Sequence, residues 1–187
     1  MILMVGGLWG SAQAAGPAFK VSAEGFPAGG TVAGAQVFNG FGCQGENQSP
    51  LIRWENPPAG TQSFALTIYD PDAPTGSGFW HWVVFDIPDS ATGLGEGAAS
   101  GVKATLPLGT IQGHTDFGAK TYGGPCPPPG AKPHRYVVTL YALKVPTLSL
   151  PADATGALVS YMARANALGK ATVTATYGRP TAPAKTR

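Results

Sequence analysis

Two carboxylic acids and two imidazoles stand where strands would begin or end: Asp70 and Asp72 in DPDAP, His81 in FWHWVV, and His134 in KPHRYVV. Imidazoles that carry a proton on the outward nitrogen donate hydrogen bonds, so a pair of them at a cleft mouth suits an anion such as a phosphate monoester. A carboxylate repels an anion unless it is protonated. Asp70 and Asp72 are therefore assigned to orienting the histidines and raising their affinity for protons. The same four groups could support metal-assisted or acid–base hydrolysis, but a nucleophile is missing. No Ser or Cys sits in a nucleophile-elbow pattern and no HExxH pair occurs. The reading is a non-enzymatic site with no catalytic residue, metal or cofactor. Singly, Asp70 would be an ordinary turn residue before Pro-Asp and each histidine a structural one; their convergence is what makes a site. His114, in IQGHTDFG, has no such company and reads as a surface loop residue.

Convergence depends on the elements that carry these residues. In SFALTIYD, Phe64, Leu66, Ile68 and Asp70 fall on one face and Ala65, Thr67 and Tyr69 on the other. Both faces are largely apolar, which predicts a central strand covered on both sides, and WHWVVFDI at 80–87 has the same character. The link DPDAPTGSGF is full of turn formers, so the two strands should pair antiparallel. That pairing brings the end of the first strand beside the start of the second, and so Asp70 and Asp72 beside His81. HRYVVTLYAL at 134–143 is again apolar on both faces, and pairing antiparallel to the first strand would put His134 on the same rim. Trp80 and Trp82 are expected to pack. Residues 89–133 lack periodicity and read as a long ordered excursion over the sheet end, a length that in compact domains goes with function. One helix is expected in DATGALVSYMARANALGK, capped by Asp153, with Leu158, Tyr161, Met162, Ala165 and Leu168 facing the core and Gly169 stopping it. A last strand at 171–178 precedes the basic stretch RPTAPAKTR, read as a disordered tail.

Composition agrees with a β-rich chain. At 187 residues one core suffices, and charged residues at 12% beside 27 Gly and 18 Pro favour short strands and structured turns over solvated helices. A net charge of +2 without a Lys/Arg run argues against nucleic acid as a partner. Residues 1–15, MILMVGGLWGSAQAA, hold an apolar run followed by Ala12-Gln13-Ala14, which predicts a signal peptide and a periplasmic or secreted protein; the alternative is a buried N-terminal strand. A single domain over 16–179 and a flexible tail over 180–187 follow. No later segment has the ~20 apolar residues that cross a bilayer, so the chain should not be membrane-embedded. Cys43 and Cys126 are the only cysteines, each in a Gly/Pro-rich loop, and an oxidising compartment would let them pair. They cannot supply the four closely spaced ligands of a zinc site.

DPDAP, WHWVV, YGGPCPPPG and KPHRY occur in that order, and FGCQGENQSPLIRW and TATYGR flank them. Together they resemble the phosphatidylethanolamine-binding protein family, specifically its bacterial branch described as Raf-kinase-inhibitor-like, over about residues 18–179. The resemblance implies a mainly β fold: an antiparallel β-sandwich with a large central sheet, a smaller sheet and a C-terminal helix. It also implies a small cavity at one sheet end that accepts phosphate-like groups. Carried over motif by motif, the ligand-binding set is Asp70, Asp72, His81, Tyr122, Gly124, Pro125, His134 and Tyr136. Tyr122 or Tyr136 would offer a phenolic donor, and Gly123 and Gly124 would turn backbone N–H groups inward. The expected ligand is a small anion or a phospholipid head group. The alternative is an inhibitor or regulator that docks to a kinase, a protease or a host protein, through a surface the sequence does not identify.

Overall fold

The computed structural model describes residues 16–99 and 105–181. The expected signal peptide over 1–15 and most of the expected tail lie outside these residues. In chain order the elements are β1 (Lys20–Ala23), β2 (Asn39–Gly40), β3 (Cys43–Gln44), β4 (Ile52–Glu55), β5 (Ser63–Asp70), β6 (Phe79–Pro88), β7 (Gly93–Leu94), β8 (Ile111–Gln112), β9 (His134–Leu143), α1 (Gly156–Asn166) and β10 (Ala167–Tyr177). A five-stranded sheet runs β10-β9-β5-β6-β8, a three-stranded sheet runs β1-β4-β7, and β2 pairs with β3 alone. The protein is thus mainly β, with one α-helix among the described residues.

The two-sided apolar pattern of β5, β6 and β9 has its reason in this arrangement. Phe64, Leu66, Ile68, Trp82, Val84, Tyr136, Val138 and Leu140 face the small sheet, where Ile52, Trp54 and Phe26 complete one core. Ala65, Val83, Phe85, Tyr141 and Leu143 face the opposite way and meet Val159 and Ala163 of the helix in a second core. Burying a Leu, Ile or Phe side chain stabilises by roughly 1.5–3 kcal/mol, so the central sheet, loaded on both sides, is the stiff plate to which the site is attached. β5 pairs antiparallel with β6 on one side and with β9 on the other.

Two bulges in β6 break its alternation. At one, Asp86 adopts φ +55 and accepts a hydrogen bond from the Leu148 N–H. At the other, the register passes from Ile68↔Trp82 to Tyr69↔Trp80, leaving His81 as the extra residue. Such bulges re-aim side chains. Trp82 faces the first core and Trp80 packs on the second, while the His81 ring lies 5.1 Å from that of Tyr136, on the first-core side of the sheet.

The helix differs from the sequence reading in its cap, end and buried face. Thr155, not Asp153, is the N-cap, its Oγ1 accepting from the Leu158 N–H at 3.3 Å, and the helix stops at Asn166. Leu168 and Gly169 belong to β10, which begins at Ala167, ahead of the strand expected from 171. Of the residues expected to face the core, Met162 packs half-buried against the second core, but Leu158, Ala165 and Tyr161 are exposed, the last by 71%, whereas Gly156, Val159, Ser160 and Ala163 are buried. Two apolar stripes one residue apart share the helical period, and closeness to the sheet selects the smaller one. A Cβ at Gly156 would strike the Trp80 ring, so only small residues let the helix sit there.

Candidate functional site

At the end of the central sheet where β5 stops and β6 and β9 start, a cavity of about 190 Å³ is lined by Asp70, His81, His134 and Tyr136. Phe41, Phe79 and Phe117 form much of its apolar wall, with Ala73, Pro74, Thr75, Cys126, Pro127 and Pro128. Antiparallel pairing places Asp70 and His134, and the β6 bulge adds His81. Tyr136 follows because it lies two residues after His134 on the same strand face.

Each buried polar group here has a defined partner except one. Asp70, 2% exposed, accepts at Oδ1 from the Asp72 N–H (2.8 Å) and at Oδ2 from Nδ1 of His134 (2.7 Å). The Nδ1 of His81 lies 2.7 Å from the Gly123 carbonyl oxygen, which can only accept, so this nitrogen carries the hydrogen. The Gly123 N–H in turn donates to the His81 carbonyl, fixing strand and loop together. With both Nδ1 atoms spoken for, each imidazole meets a ligand through Nε2, an acceptor when neutral and a donor when protonated. The exception is the Tyr136 hydroxyl, fully buried and without a hydrogen bond of good geometry, with Asp70 as its one weak acceptor. Burial, then the nearby Asp70 charge, pushes this phenol above its ordinary range, so it stays a proton donor.

The remaining residues expected in the site stand behind or beside the cavity. Asp72 is tied to Arg135, accepting from its Nε at 2.8 Å, its Nη2 at 2.6 Å and its backbone N–H at 2.8 Å. That guanidinium holds the Asp72 carboxyl down at about 2; Asp72 orients β9, not an imidazole. Tyr122 is buried in the core and donates from its hydroxyl to the Gln36 carbonyl at 2.7 Å. The Gly124 N–H donates to Asn47 Oδ1, and the Pro125 carbonyl accepts from the Phe38 N–H. Gly123 and Gly124 therefore have no N–H left for a ligand, contrary to the inward donors expected of them. His114 is half-buried rather than a surface residue, its N–H bonded to the Ala154 carbonyl, and it does not line the cavity. Trp82 packs, as expected, with its Nε1–H on Gln112 Oε1.

Nothing in the sequence marks the aromatic wall. Phe41 sits at the tip between β2 and β3, 77% exposed, with φ +52. Its ring stacks on Phe117 at 6.1 Å, and Phe117 meets the rings of Phe79 at 4.9 Å and His81 at 5.5 Å. Cys43 and Cys126 form a disulfide that joins this tip to the segment before β9.

A family model described as phosphatidylethanolamine-binding protein matches residues 23–178. The chain belongs to the phosphatidylethanolamine-binding protein family. Among its relatives, UPF0098 protein YbcL of Escherichia coli is 47% identical over 167 residues, 89% of this chain and 90% of the relative. UPF0098 protein YbhB, also of Escherichia coli, is 45% identical over 141 residues, 75% and 88% of the two chains. A Mycobacterium tuberculosis protein provisionally named lipoprotein LppC is 36% identical over 144 residues, 77% of this chain and 67% of that one. The crystal structure of YbcL superposes with a TM-score of 0.82 at 45% identity, covering 86% of this chain and 98% of that one.

The buried imidazole of this family member makes a stability prediction. Burial, the largest influence, holds His81 below its ordinary 6.5, against the opposing pull of the Gly123 carbonyl and the Asp70 charge. Below about pH 6.5 the unfolded chain takes up a proton at this residue that the native protein resists, so stability falls as pH drops, by at most about 1.4 kcal/mol per pH unit. Urea midpoints measured from about pH 7.5 down to 5 should decline, and the His81→Gln variant should decline less steeply. Equal slopes would show that His81 is not held neutral.

Proposed function

We propose that this protein is a non-enzymatic binder of phosphate-type anions, free or as the head group of a phospholipid, and that it works in the periplasm or outside the cell. The observation that carries the reading is the buried, poorly partnered Tyr136 hydroxyl in the same cavity as two imidazoles whose Nδ1 atoms are already bonded. A donor left without a good partner in a buried place costs up to about 1–3 kcal/mol, which an anionic oxygen would recover. At about 190 Å³ the cavity is smaller than the ~300–1,000 Å³ of pockets that enclose drug-sized ligands, so it suits a head group and not a whole lipid. The disulfide is in keeping with an oxidising compartment, and the lipoprotein name of the mycobacterial relative points the same way. Among the described residues no helix is long and apolar enough to cross a membrane.

Anion binding here must recruit protons, because neutral imidazoles present Nε2 as acceptors. Calorimetric titration with phosphate and phosphoethanolamine should give at least about tenfold tighter binding at about pH 6 than at about pH 8. The His81→Ala/His134→Ala variant should lose the heat at both. Absence of heat for any of these ligands with the native protein would reject the reading. It would then favour the alternative, a regulator that docks to a kinase, protease or host protein, for which the exposed Leu158 and Tyr161 of the helix offer a surface.

A further inference from the structure

Arg179 lies two residues past the end of β10 and does not line the cavity, yet both of its Nη groups are engaged on the wall. Its Nη1 lies 3.3 Å from the Phe41 carbonyl oxygen, 3.3 Å from that of Pro127 and 3.4 Å from Cys126 Sγ. Its Nη2 donates to the Gly42 carbonyl at 2.9 Å. Phe41, Cys126 and Pro127 all line the cavity. Among the described residues Arg179 takes part in no ion pair, so the guanidinium serves entirely as a fork between two backbone segments.

The segment it holds is weak by itself. β2 and β3 have two residues each and pair only with one another, far short of what keeps an isolated hairpin folded in water. Phe41 is a bulky residue at φ +52, a conformation that persists only where the surroundings enforce it. Two ties do so. The disulfide joins residue 43 to residue 126, and Arg179 joins residues 41 and 42 to residues 126 and 127. Both bind the Phe41 tip to the same short stretch on the other side of the cavity.

We propose that Arg179 is a positioning residue which, redundantly with the Cys43–Cys126 disulfide, fixes the Phe41 wall and thereby governs how fast a ligand enters and leaves. Either tie alone keeps the wall in place; losing both frees it. The kinetic half of this statement rests on the anion-binding reading above, whereas the structural half does not.

The test compares four proteins: native, Arg179→Lys, Cys43→Ser/Cys126→Ser, and the variant carrying all three substitutions. Lysine keeps the charge but lacks the fork. Amide hydrogen exchange over residues 38–45 should rise less than about tenfold when one tie is lost and about a hundredfold when both are. Should the triple variant fail to fold, Arg179→Lys under dithiothreitol replaces it. For inorganic phosphate, loss of both ties should raise the association and dissociation rates together, at least about tenfold, with the dissociation constant moving less than about threefold. A merely structural Arg179 would lower the melting temperature without changing either rate well below it. Exchange over 38–45 in the doubly untied protein equal to the native protein would overturn the proposal. Increased exchange with unchanged phosphate rates would overturn its kinetic half. If the native protein gave no phosphate binding, the anion reading would fail while the exchange comparison still decided whether the clamp exists.

Discussion

Gly124→Ala is expected to destabilise the protein by at least about 3 kcal/mol, at the upper end of what overpacking does, although it adds a single methyl group. A Cβ there would fall inside van der Waals contact of the Gln36 carbonyl oxygen, the Phe38 nitrogen and the Val37 carbonyl carbon. All three are backbone atoms, which cannot swing aside as a side chain end can. They are also held in place: the Phe38 N–H donates to the Pro125 carbonyl, the Asn47 N–H to the Val37 carbonyl, and the Tyr122 hydroxyl to the Gln36 carbonyl. Moving them would break the bonds by which the 122–125 loop grips the 36–47 segment. Gly95→Ala is the control, since nothing lies within 4 Å of its added Cβ. Urea midpoints should differ widely between these two variants. A Gly124→Ala midpoint close to that of Gly95→Ala would mean that the loop and segment are not packed as described, and the cavity wall built on them would have to be redrawn.

That prediction also shows where sequence reasoning stopped. Gly124, Tyr122 and Pro125 stand out as a rigid, unusual stretch, and a stretch of this kind can form a site either by touching the ligand or by bracing what does. Spacing alone does not separate the two. Here the loop braces: its donors and acceptors go to Gln36, Phe38 and Asn47, residues far away in the chain that no periodicity links to it. The central strands are readable because a run of eight to ten residues apolar on both faces is a local property, and antiparallel pairing then fixes which ends meet. Asp70, His134 and Tyr136 fell together for that reason. His81 was readable in position, but its orientation depends on a bulge, and strict alternation would have put its side chain on the other face. Phe41 and Phe117 come from loops brought together by tertiary packing, with nothing in their neighbours to mark them. Arg179 looked like the head of a basic tail, and only the match of TATYGR to the family hinted that it belonged to the fold. The helix misled for a different reason: two apolar stripes fit one period, and the choice between them is made by the Trp80 ring, not by the helix.

Asp70→Asn should flatten the pH dependence of anion binding more than any substitution that leaves both histidines in place. In the native protein one Asp70 oxygen accepts from the Asp72 N–H and the other from His134 Nδ1–H, which commits the neutral imidazole to present Nε2 as an acceptor. An asparagine has one acceptor atom and one donor group at the same two places. If its oxygen keeps the Asp72 N–H, its NH2 faces His134 Nδ1, and two donors cannot share that contact. The imidazole then moves its hydrogen to Nε2, so that Nδ1 accepts from the amide and Nε2 becomes a donor without taking up a proton. Loss of the buried carboxylate removes a repulsive charge from the cavity at the same time. Phosphate affinity at about pH 8 should therefore rise toward its value at about pH 6, shrinking the native difference of at least about tenfold by about threefold, with the remainder coming from proton uptake at His81. The exchange of a charge-assisted hydrogen bond for a neutral one should cost about 1–2 kcal/mol of stability, small enough for the variant to be studied folded. Nitrogen-15 spectra of the His134 ring report the tautomer directly. A hydrogen still on Nδ1, together with a pH dependence as steep as the native one, would show that Asp70 does not set the tautomer of this imidazole and that the pH response of the cavity comes from His81.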